Sequence, residues 1–377
     1  MTRVAILGAN GQVGTEVCLR LREAPGIEVV PVARNVSGSA FLRCNEMEVR
    51  HGRIGDPDDA ARLIGDCDVV VNFALSMTAI PRVDREVNRQ IMSSVVAAAK
   101  PGAPIVFAST IMVYAPAMKF WLPDAYGLEK WITEKQFRRL AQRSQHPCYV
   151  FRLGHVMGDL QNITRKICGE IAEGPVTLPQ QGKRASNTVF TASIVESIVR
   201  IARGAATPGT YDLITEPQWT WLEVYRYYHA RLNLPLELAA AGDAHPAKSG
   251  GASPSRFVRR TLGYFANTNV LRERLTFLLA FLPKSWNERT YTRYLQSRAL
   301  REIQSLKDSK RQGLCAPDWR ELKVRGFADL GDPAALIAKY PLRCKFGHAD
   351  SALSQPADGG IPKPTHPVNN CSRWRTS

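Results

Sequence analysis

Apolar residues in the first 150 positions fall into short β-rich runs that alternate with amphipathic stretches. The runs predict strands at Arg3–Leu7, Glu28–Val32, Glu46–His51, Asp68–Phe73, Ala103–Ala108 and Cys148–Leu153. The stretches between them have helical periodicity, over Val13–Glu23, Pro57–Ile64, Glu86–Ala99 and Ala125–Arg143. Strands that are apolar throughout and alternate with helices belong to a parallel sheet covered on both faces. We therefore predict an α/β protein with a Rossmann doubly wound parallel sheet, whose ligand lies at the carboxyl ends of the strands.

After residue 155 the alternation loosens, which predicts a second, smaller mixed unit over residues 156–240. Its expected elements are helices at Gln161–Ala172 and Trp221–Leu232, a strand and helix within Thr188–Arg203, and a strand at Gly209–Leu213. Residues 242–255 have the composition of a flexible stretch. A basic helical extension is expected over residues 256–345. The last residues, 351–377, are rich in Pro, Gly, Ser and Asn, which is typical of a disordered tail.

The positive charge is concentrated in the last third of the chain. The formal net charge is +16, and residues 241–377 contribute +12 of it, with 23 Lys and Arg against 11 Asp and Glu. This asymmetry favours a basic appendage rather than a basic enzyme core.

Cysteine usage and the apolar runs limit the class of protein. The eight cysteines contain no CxxC pair, and no spacing of Cys and His resembles a metal site, so neither a disulfide framework nor a metal is expected. The N-terminus has no signal-peptide pattern. The longest apolar run after residue 240, Phe277–Leu282, is far shorter than the roughly 20 residues of a membrane-spanning helix. A soluble, cytoplasmic protein is expected.

Three glycines follow the first predicted strand directly, within Gly8-Ala9-Asn10-Gly11-Gln12-Val13-Gly14. Glycines at a strand-to-helix turn let the backbone approach a pyrophosphate, whose charge then lies at the N-terminus of the helix. A glycine-rich turn without a ligand is the alternative. Because this turn stands at the first junction of a βαβ unit, we favour a dinucleotide site in the first unit, residues 1–155. Its candidate residues are Gly8, Asn10, Gly11, Gln12, Val13 and Gly14.

The end of the second predicted strand bears on which dinucleotide binds. An acid there binds the ribose 2′-hydroxyl of NAD, whereas a nearby Arg accommodates the 2′-phosphate of NADP. Arg34 stands at this position, and no Asp or Glu follows before Glu46. NADP is therefore the expected cofactor, with NAD as the alternative if Arg34 is only a loop-edge residue.

Tyr126 and Lys130 are the candidate proton-transfer pair. Four residues apart on a helix, their side chains share one face. A lysine ammonium close to a phenol favours phenolate, so Tyr126 could exchange a proton with a carbinol near neutral pH. A solvated helix face is the alternative. Ser109 and Thr110 follow a predicted strand and place a hydroxyl donor at the same edge of the sheet, or simply cap the strand end.

Together these residues resemble the extended short-chain dehydrogenase/reductase family over roughly residues 1–230. The GxxGxxG spacing is that of the extended family, and Arg152-Leu153-Gly154-His155-Val156-Met157-Gly158 is similar to its Arg-x-x-x-Val-Tyr-Gly segment, which opens the substrate domain. Ala108-Ser109-Thr110-Ile111-Met112-Val113-Tyr114 is similar to its Ser-Ser-(Ser/Thr)-x-x-Val-Tyr motif. The resemblance makes Thr110 the hydroxyl partner of Tyr126. It also implies that Lys130 holds the nicotinamide ribose.

Further cofactor positions in three segments are implied by the resemblance. Gly55-Asp56 is similar to the acidic turn that contacts the adenine ring. Asn72-Phe73-Ala74 resembles the family's Asn-Ala-Ala stretch, which lines the cofactor, and Asn88 falls where the family has an Asn in its central helix. The sequence departs from the family at Leu7, where Thr is usual, and at Gly154-His155, where a Pro-containing pair is usual. No acid pair follows Thr110, so a 4,6-dehydratase is not expected.

The function implied is hydride exchange at a carbinol or ketone carbon, with Tyr126 as acid/base. A nucleotide sugar is the favoured substrate, and Lys183 or Arg184 could bind its diphosphate, or could lie in a solvated loop. Epimerase and reductase both remain open. A homodimer is an option that the sequence leaves unresolved.

Two alternative functions depend on other parts of the chain. Residues 256–301 hold 10 Lys and Arg against 2 Asp and Glu, interleaved with large apolar residues. This pattern is typical of a basic amphipathic helix on an anionic membrane surface, so the enzyme could instead reduce or oxidise an apolar, sterol-like or lipid-like ketone as a peripheral membrane protein. The same helix could also pack on the enzyme. An NADP-sensing regulator is the non-enzyme alternative, and no motif supports nucleic-acid binding.

Overall fold

The computed structural model describes residues 1–77, 81–114, 125–238 and 330–344. Its strands are β1 Thr2–Leu7, β2 Ile27–Ala33, β3 Arg50–His51, β4 Val69–Asn72, β5 Ile105–Thr110, β6 Cys148–Leu153, β7 His155–Met157, β8 Thr188–Phe190 and β9 Gly209–Leu213. Its α-helices are α1 Gln12–Leu21, α2 Ala40–Cys44, α3 Pro57–Ile64, α4 Pro81–Ala98, α5 Ala125–Arg143, α6 Asn162–Glu173, α7 Thr191–Ala202, α8 Trp221–Leu232 and α9 Pro333–Lys339.

Seven strands form one parallel sheet in the order β3-β2-β1-β4-β5-β6-β9. The strand order reverses between β1 and β4, where a doubly wound sheet opens a crevice at the carboxyl ends of its strands. The predicted Rossmann fold is confirmed. The sheet takes its last strand from beyond residue 155, since β9 pairs with β6 from Tyr149–Gly209 to Leu153–Leu213.

Alternate side chains of the strands fill two separate cores. In β1, Val4 and Ile6 pack on one face with α1 and α7, whereas Ala5 and Leu7 pack on the other with α3, α4 and α5. All four side chains are fully buried. Burial on both faces is what removes the polar alternation from these strands and makes them apolar runs in the sequence.

A smaller unit stands at the carboxyl edge of the large sheet. Its centre is a third core, in which Met157 and Phe190 from the two-stranded β7–β8 sheet contact α6 and α8. Trp221, Val224 and Tyr225 bring α8 into this core. α8 starts at a capping box, in which the hydroxyl of Thr220 accepts the N–H of Glu223 and the Glu223 carboxylate accepts the N–H of Thr220.

Residues 330–344 return to the dinucleotide half of the molecule, and we call them the return segment. Leu330, Leu336 and Tyr340 are buried in the core formed with α1 and α7. The predicted basic extension over 256–345 therefore ends in a segment that belongs to the folded core. The remainder of that extension, including 256–301, and the predicted tail 351–377 lie outside the described residues.

One predicted strand differs clearly from the structure. Glu46–His51 was expected to be extended, yet only Arg50–His51 forms a strand, and the short helix α2 precedes it. Glu46 has a φ of +61°, which belongs to a turn and cannot occur in a strand. No helix within the described ranges is long and apolar enough to cross a membrane.

Candidate active site

The glycine-rich turn is shaped by close backbone contacts that exclude side chains. A Cβ atom on Gly14 would lie 2.3 Å from the carbonyl oxygen of Gly8. Gly8 has a φ of +72°, and a Cβ there would lie 2.8 Å from the backbone nitrogen of Ala74. Both positions require glycine, Gly8 because of its backbone angle as well as its contact. The turn therefore brings β1, the N-terminal turn of α1 and the segment after β4 together at the crevice.

The N-terminus of α1 has the properties of an anion site. Gly11 is its N-cap without a side-chain hydrogen bond, and no acidic residue occupies its first turn. Asn10, Gly11 and Gln12 are exposed, and Val13 is partly exposed. Backbone N–H groups at such a helix end attract a phosphate. These residues fit the pyrophosphate of a dinucleotide, because the cradle is open and uncapped where a phosphate would lie.

The loop after β2 lies beside this turn. Arg34 follows β2 directly and is exposed. A Cβ on Gly38 would lie 2.8 Å from Nδ2 of Asn10, so this loop approaches the glycine turn closely at residue 38. The N–H of Ala9 in the turn donates to the carbonyl of Val32, near the end of β2. The predicted contact of Arg34 with a 2′-phosphate stays a prediction.

Asn72 holds the backbone that contacts the glycine turn. Its Oδ1 accepts the N–H of Ala74 at 2.8 Å, and its Nδ2 donates to the sulfur of Met92 at 3.8 Å. The N–H of Phe73 donates to the carbonyl of Leu7. Asn72 is buried and holds the backbone of Ala74, which lies against Gly8 of the turn. Its predicted contact with the cofactor stays a prediction.

Asn88 and Asp56 likewise have structural partners. Asn88 accepts the N–H of Ser76 at 2.7 Å and donates to the carboxylate of Glu129 at 3.0 Å, which joins the segment after β4 to α5. The exposed Asp56 caps α3, because its carboxylate accepts the N–H groups of Asp58 and Asp59. Whether either residue also contacts the cofactor stays a prediction.

Lys130 lies on α5, and its buried side chain reaches the end of β5. Its side chain is 4% exposed, and its Nζ donates to the carbonyl oxygen of Ala108 at 2.6 Å. The same Nζ lies 5.1 Å from the centroid of the Phe107 ring. Burial lowers the pKa of Lys130 to about 8, because water no longer solvates its charge.

The structure brings Tyr126, Lys130 and Thr110 to one edge of the sheet. Tyr126 lies one turn before Lys130 on α5 and is 39% exposed. The neighbouring Gly127 packs on Met112, where a Cβ would lie 2.5 Å from its carbonyl oxygen. The hydroxyl of Thr110 accepts the N–H of Met112 at 3.2 Å, which leaves its own proton to donate. α5 is thus pressed against the chain that follows β5.

A buried ionic network beneath these residues was missed from the sequence. The carboxylate of Glu134 accepts hydrogen bonds from Ser109 at 2.9 Å and from Arg152 at 2.7 Å. Arg152 also donates to Tyr114, whose hydroxyl donates to Asp212. These bonds hold the pKa of Glu134 below its usual value, against the opposing effect of burial. The sequence does contain one indication of this network, because Glu134 lies four residues after Lys130 and therefore on the same face of α5.

Glu16 is a second residue that sequence reasoning missed. It is fully buried in α1, and its carboxylate accepts hydrogen bonds from Arg20, Gln161 and Thr191. It also accepts the N–H groups of the 159–160 backbone. Glu16 thus joins the cofactor helix to the segment that enters the smaller unit.

Residues 183 and 184 lie in the loop before β8, beside the first residue of α8. The N–H of Trp221 donates to the carbonyl of Arg184 at 3.0 Å, and the Arg184 guanidinium donates to Gln180. Lys183 is exposed. Their predicted role in diphosphate binding stays a prediction.

Comparison with known proteins decides the family. Residues 4–213, more than half of the chain, match the NAD-dependent epimerase/dehydratase family. The chain belongs to this family. The resemblance to extended short-chain dehydrogenases/reductases is therefore confirmed.

The individual relatives of this chain are distant in sequence. A UDP-2-acetamido-2,6-beta-L-arabino-hexul-4-ose reductase of Pseudomonas aeruginosa is 23% identical over 252 residues, which is 64% of this chain and 61% of the reductase. The match thus spans about 61% of the length of that relative. Among solved structures, UDP-glucuronic acid 4-epimerase of Bacillus cereus, in complex with UDP-glucuronic acid and NAD, is 16% identical with a TM-score of 0.48. That likeness covers 63% of this chain and 85% of the epimerase.

A second solved structure is similar to the same extent. UDP-glucose 4-epimerase of Thermotoga maritima, with UDP-glucose, is 16% identical with a TM-score of 0.48, over 64% of this chain and 87% of the epimerase.

Proposed function

We propose that the enzyme exchanges hydride between NADP(H) and a carbinol or ketone carbon of a nucleotide sugar, with Tyr126 as the general acid/base. The observation that carries this proposal is the placement of a half-exposed Tyr126 one helical turn before a buried Lys130, at the strand end that bears Thr110. When bound, the nicotinamide accepts or supplies the hydride. The side chains supply position and a proton.

Each of the three residues has a separate task in this proposal. The Tyr126 hydroxyl exchanges a proton with the substrate oxygen, and its exposure leaves it accessible to a ligand. Thr110 donates its hydroxyl proton to the same oxygen and fixes its direction. Lys130 contributes positive charge behind the phenol, and its bond to the Ala108 carbonyl holds the ammonium in one place.

The sugar-nucleotide substrate is supported by family membership and by the name of the Pseudomonas reductase. A direct test incubates the purified chain with a panel of UDP- and dTDP-linked hexoses and 4-keto hexoses, with oxidised or reduced cofactor. Product is followed by NMR and by absorbance at the nicotinamide band. A net reductase consumes reduced cofactor in stoichiometric amounts, whereas an epimerase converts the sugar without net cofactor change. Turnover of simple apolar ketones in place of every nucleotide sugar would overturn the proposal.

NADP rather than NAD is supported by the exposed Arg34, which follows the end of β2 directly, where an Arg would accommodate the 2′-phosphate. Affinity for NADPH and NADH is measured by quenching of cofactor fluorescence in the wild type and in Arg34→Ala. Loss of a charge-assisted bond to the 2′-phosphate should weaken NADPH binding about tenfold and leave NADH binding nearly unchanged. Equal affinity of the wild type for the two cofactors would contradict this part of the proposal.

A further inference from the structure

Glu134 is a buried carboxylate that the proposed proton transfer does not use. Only 3% of its side chain is exposed, and it lies on α5, eight residues after Tyr126 and four after Lys130. Positions 126, 130 and 134 share one side of the helix, because four residues are slightly more than one turn. The helix that carries the candidate acid/base therefore has a third polar side chain on the same side.

Lys130 and Glu134 attach α5 to two consecutive residues of β5. Nζ of Lys130 donates to the carbonyl of Ala108 at 2.6 Å, and the hydroxyl of Ser109 donates to the Glu134 carboxylate at 2.9 Å. Thr110, the proposed donor to the substrate oxygen, is the next residue of the strand. The distance between the acid/base on α5 and this hydroxyl therefore depends on how the two bonds fix the helix on the strand.

Arg152 holds the Glu134 carboxylate from the neighbouring strand. Ser109 and Arg152 stand opposite each other in the parallel register of β5 and β6. The guanidinium donates to both carboxylate oxygens, through Nη2 at 2.7 Å and through Nε at 3.2 Å. Two bonds between a guanidinium and a carboxylate fix direction as well as distance. One carboxylate thus joins α5 to two strands of the sheet, and we call Ser109, Glu134 and Arg152 the Glu134 clamp.

The contribution of the Glu134 clamp lies in geometry more than in adhesion. A buried ion pair adds little net stability compared with apolar packing. Apolar packing is already present on α5, where the buried ring of Phe137 lies 5.6 Å from that of Phe107, centroid to centroid. Such contacts are non-directional, whereas the charged pair has one favoured arrangement. The clamp therefore fixes where along the strand the helix lies.

We propose that Glu134 is a positioning residue: the Glu134 clamp sets the place of Tyr126 relative to Thr110. This inference rests on the proposed hydride exchange and adds to it a residue that acts through others rather than on the substrate. Because Tyr126 and Lys130 lie on the same helix, the clamp changes where the pair lies and leaves the spacing within the pair unchanged.

The test measures single-turnover rates with the UDP-hexose of the panel that the wild type converts, well below the melting temperature of each variant. Glu134→Gln keeps the size of the side chain but replaces one carboxylate oxygen by an NH2 group, which cannot accept a bond from Arg152 or Ser109. The rate should fall about 10- to 100-fold, because a displacement of about 1 Å can cost about 10²-fold. Affinity for the UDP-hexose should change by less than about twofold.

The matched control is Arg138→Gln. Arg138 donates to the same carboxylate at 2.6 Å, but it lies one turn further along α5 and its side chain is 44% exposed. It bonds the helix only to itself, so the rate should stay within about twofold of the wild type. An equal fall in Arg138→Gln and Glu134→Gln would overturn the inference, because the link between helix and strand would then not be what matters.

Ser109→Ala tests the same link from β5, and it replaces Glu134→Gln if that variant does not fold. Its rate should fall about three- to tenfold. The double variant should be no slower than Glu134→Gln alone, because both changes break one link. Unchanged rates in the single variants, or effects that multiply in the double variant, would each overturn the clamp.

The pH profile separates position from charge. Eight residues of helix place Glu134 about 12 Å from Tyr126 along the axis, and Arg152 and Arg138 balance its charge. The rate of Glu134→Gln should therefore fall by a similar factor at every pH, with the midpoint of the profile shifted by less than about half a unit. A larger shift would show that Glu134 acts on the phenol through its charge, and would overturn the positioning role.

Hydrogen exchange measured by mass spectrometry gives a readout that needs no substrate. Backbone amides of β5 and of the first half of α5 should exchange faster in Glu134→Gln than in the wild type, and Arg138→Gln should match the wild type. Failure of the wild type to convert any nucleotide sugar would overturn the proposed function. Unchanged exchange in Glu134→Gln would overturn the present inference alone.

Discussion

Lys130 is held in an environment that opposes its charge. Only 4% of its surface is exposed, and burial lowers its pKa to about 8. An isolated ammonium in such a position destabilises the fold, since desolvation of a charge is costly. In the proposed mechanism, a positive charge behind Tyr126 favours loss of the phenolic proton. That mechanism would give a functional reason for a residue that lowers the stability of the fold.

Replacing Lys130 should change how stability depends on pH. The pKa is about 8 in the folded protein against an ordinary 10.5, so between these values the unfolded chain binds more protons than the folded one. The free energy of unfolding of the cofactor-free protein should therefore rise by about 3 kcal/mol from pH 8 to pH 10.5, less where other groups titrate. Chemical denaturation of Lys130→Met should lack this rise, and turnover should be lost.

The exposed Lys100 supplies the control for this prediction. Its side chain is about half exposed and pairs with Asp68 at the surface. Lys100→Met should retain the rise seen in the wild type. A Lys130→Met protein that keeps the same pH dependence would show that Lys130 is hydrated in solution.

Gly14 and Gly169 allow the glycine turn to be tested with a matched pair. Both lie in helices, but a Cβ on Gly14 would meet the Gly8 carbonyl at 2.3 Å, whereas a Cβ on Gly169 meets nothing within 4 Å. Gly14→Ala should distort the turn and weaken NADPH binding more than about tenfold, measured by fluorescence quenching. Gly169→Ala should leave affinity unchanged and stabilise the fold by about 0.5–1 kcal/mol. Equal cofactor affinity in both variants would mean that the turn does not bind the dinucleotide.

Among single residues, the sequence indicated the candidate proton-transfer residues but not the side chains that hold the neighbouring backbone in place. Tyr126, Lys130 and Thr110 carry functional side chains at recognisable spacings, and the structure places them at one sheet edge. Asn72 and Asn88 were predicted to line the cofactor, and the structure shows that their side chains also hold protein groups, the N–H of Ala74 and the carboxylate of Glu129. Such partners depend on the packing of distant segments, which a spacing pattern does not contain.

Helix α1 links the cofactor turn to the smaller unit through buried charges. Glu16 and Arg20 are paired at 2.9 Å with almost no exposure, and Arg20 also bonds to Asp159 at 2.6 Å. Asp159 pairs in turn with Arg231 of α8. The start of α1, where the pyrophosphate is expected, is therefore connected through one helical turn to the segment that enters the smaller unit and to α8.

Breaking this ion pair should be far more damaging than breaking a surface pair. Arg20→Met leaves the Glu16 carboxylate buried without its main counter-charge, which should lower the free energy of unfolding by about 3–5 kcal/mol. The control is Arg62→Met, whose 2.5 Å pair with Asp59 is largely exposed. That substitution should cost at most about 1 kcal/mol. Similar urea midpoints for the two variants would contradict the buried role of Arg20.

At the scale of the whole molecule, the return segment closes the dinucleotide half. Tyr340 is buried, its hydroxyl donates to Glu196 on α7 at 2.6 Å, and its carbonyl accepts from Arg20 at 2.7 Å. Ile337 contacts both the core around α1 and the core around α8. Residues near the end of the chain thus help to fix the two units against each other.

Graded substitutions at Tyr340 measure this contribution. Tyr340→Phe removes only the hydrogen bond to Glu196 and should cost about 0.5–1.5 kcal/mol. Tyr340→Ala also empties the space of a buried ring and should cost about 3–5 kcal/mol. Both values come from equilibrium unfolding of the full chain. Loss of less than about 1 kcal/mol in Tyr340→Ala would show that the return segment is not part of the core.

The strands of the sheet could be predicted from the sequence, whereas the packing of the return segment could not. The difference lies in how far apart along the chain the contacting residues are. The strands β1 to β6 follow a local alternation of apolar runs and helices, so their order can be read along the chain. The contact between Arg20 and Tyr340 joins residues 320 positions apart and leaves no local pattern. The strand β9 was predicted from its own residues, but its pairing with β6 in the large sheet joins distant segments and could not be read locally.

The proposed role of Tyr126 is to transfer the proton in a hydride exchange with a nucleotide sugar. It is tested most directly by single-turnover rates of Tyr126→Phe with the active UDP-hexose. Tyr149→Phe is the control, because its hydroxyl bonds to the Ala206 carbonyl, away from the carboxyl edge of the sheet. We expect the rate to fall about 10²–10⁴-fold in Tyr126→Phe with unchanged cofactor affinity, and to stay near normal in the control. An undiminished rate in Tyr126→Phe would show that Tyr126 is not the group that transfers the proton.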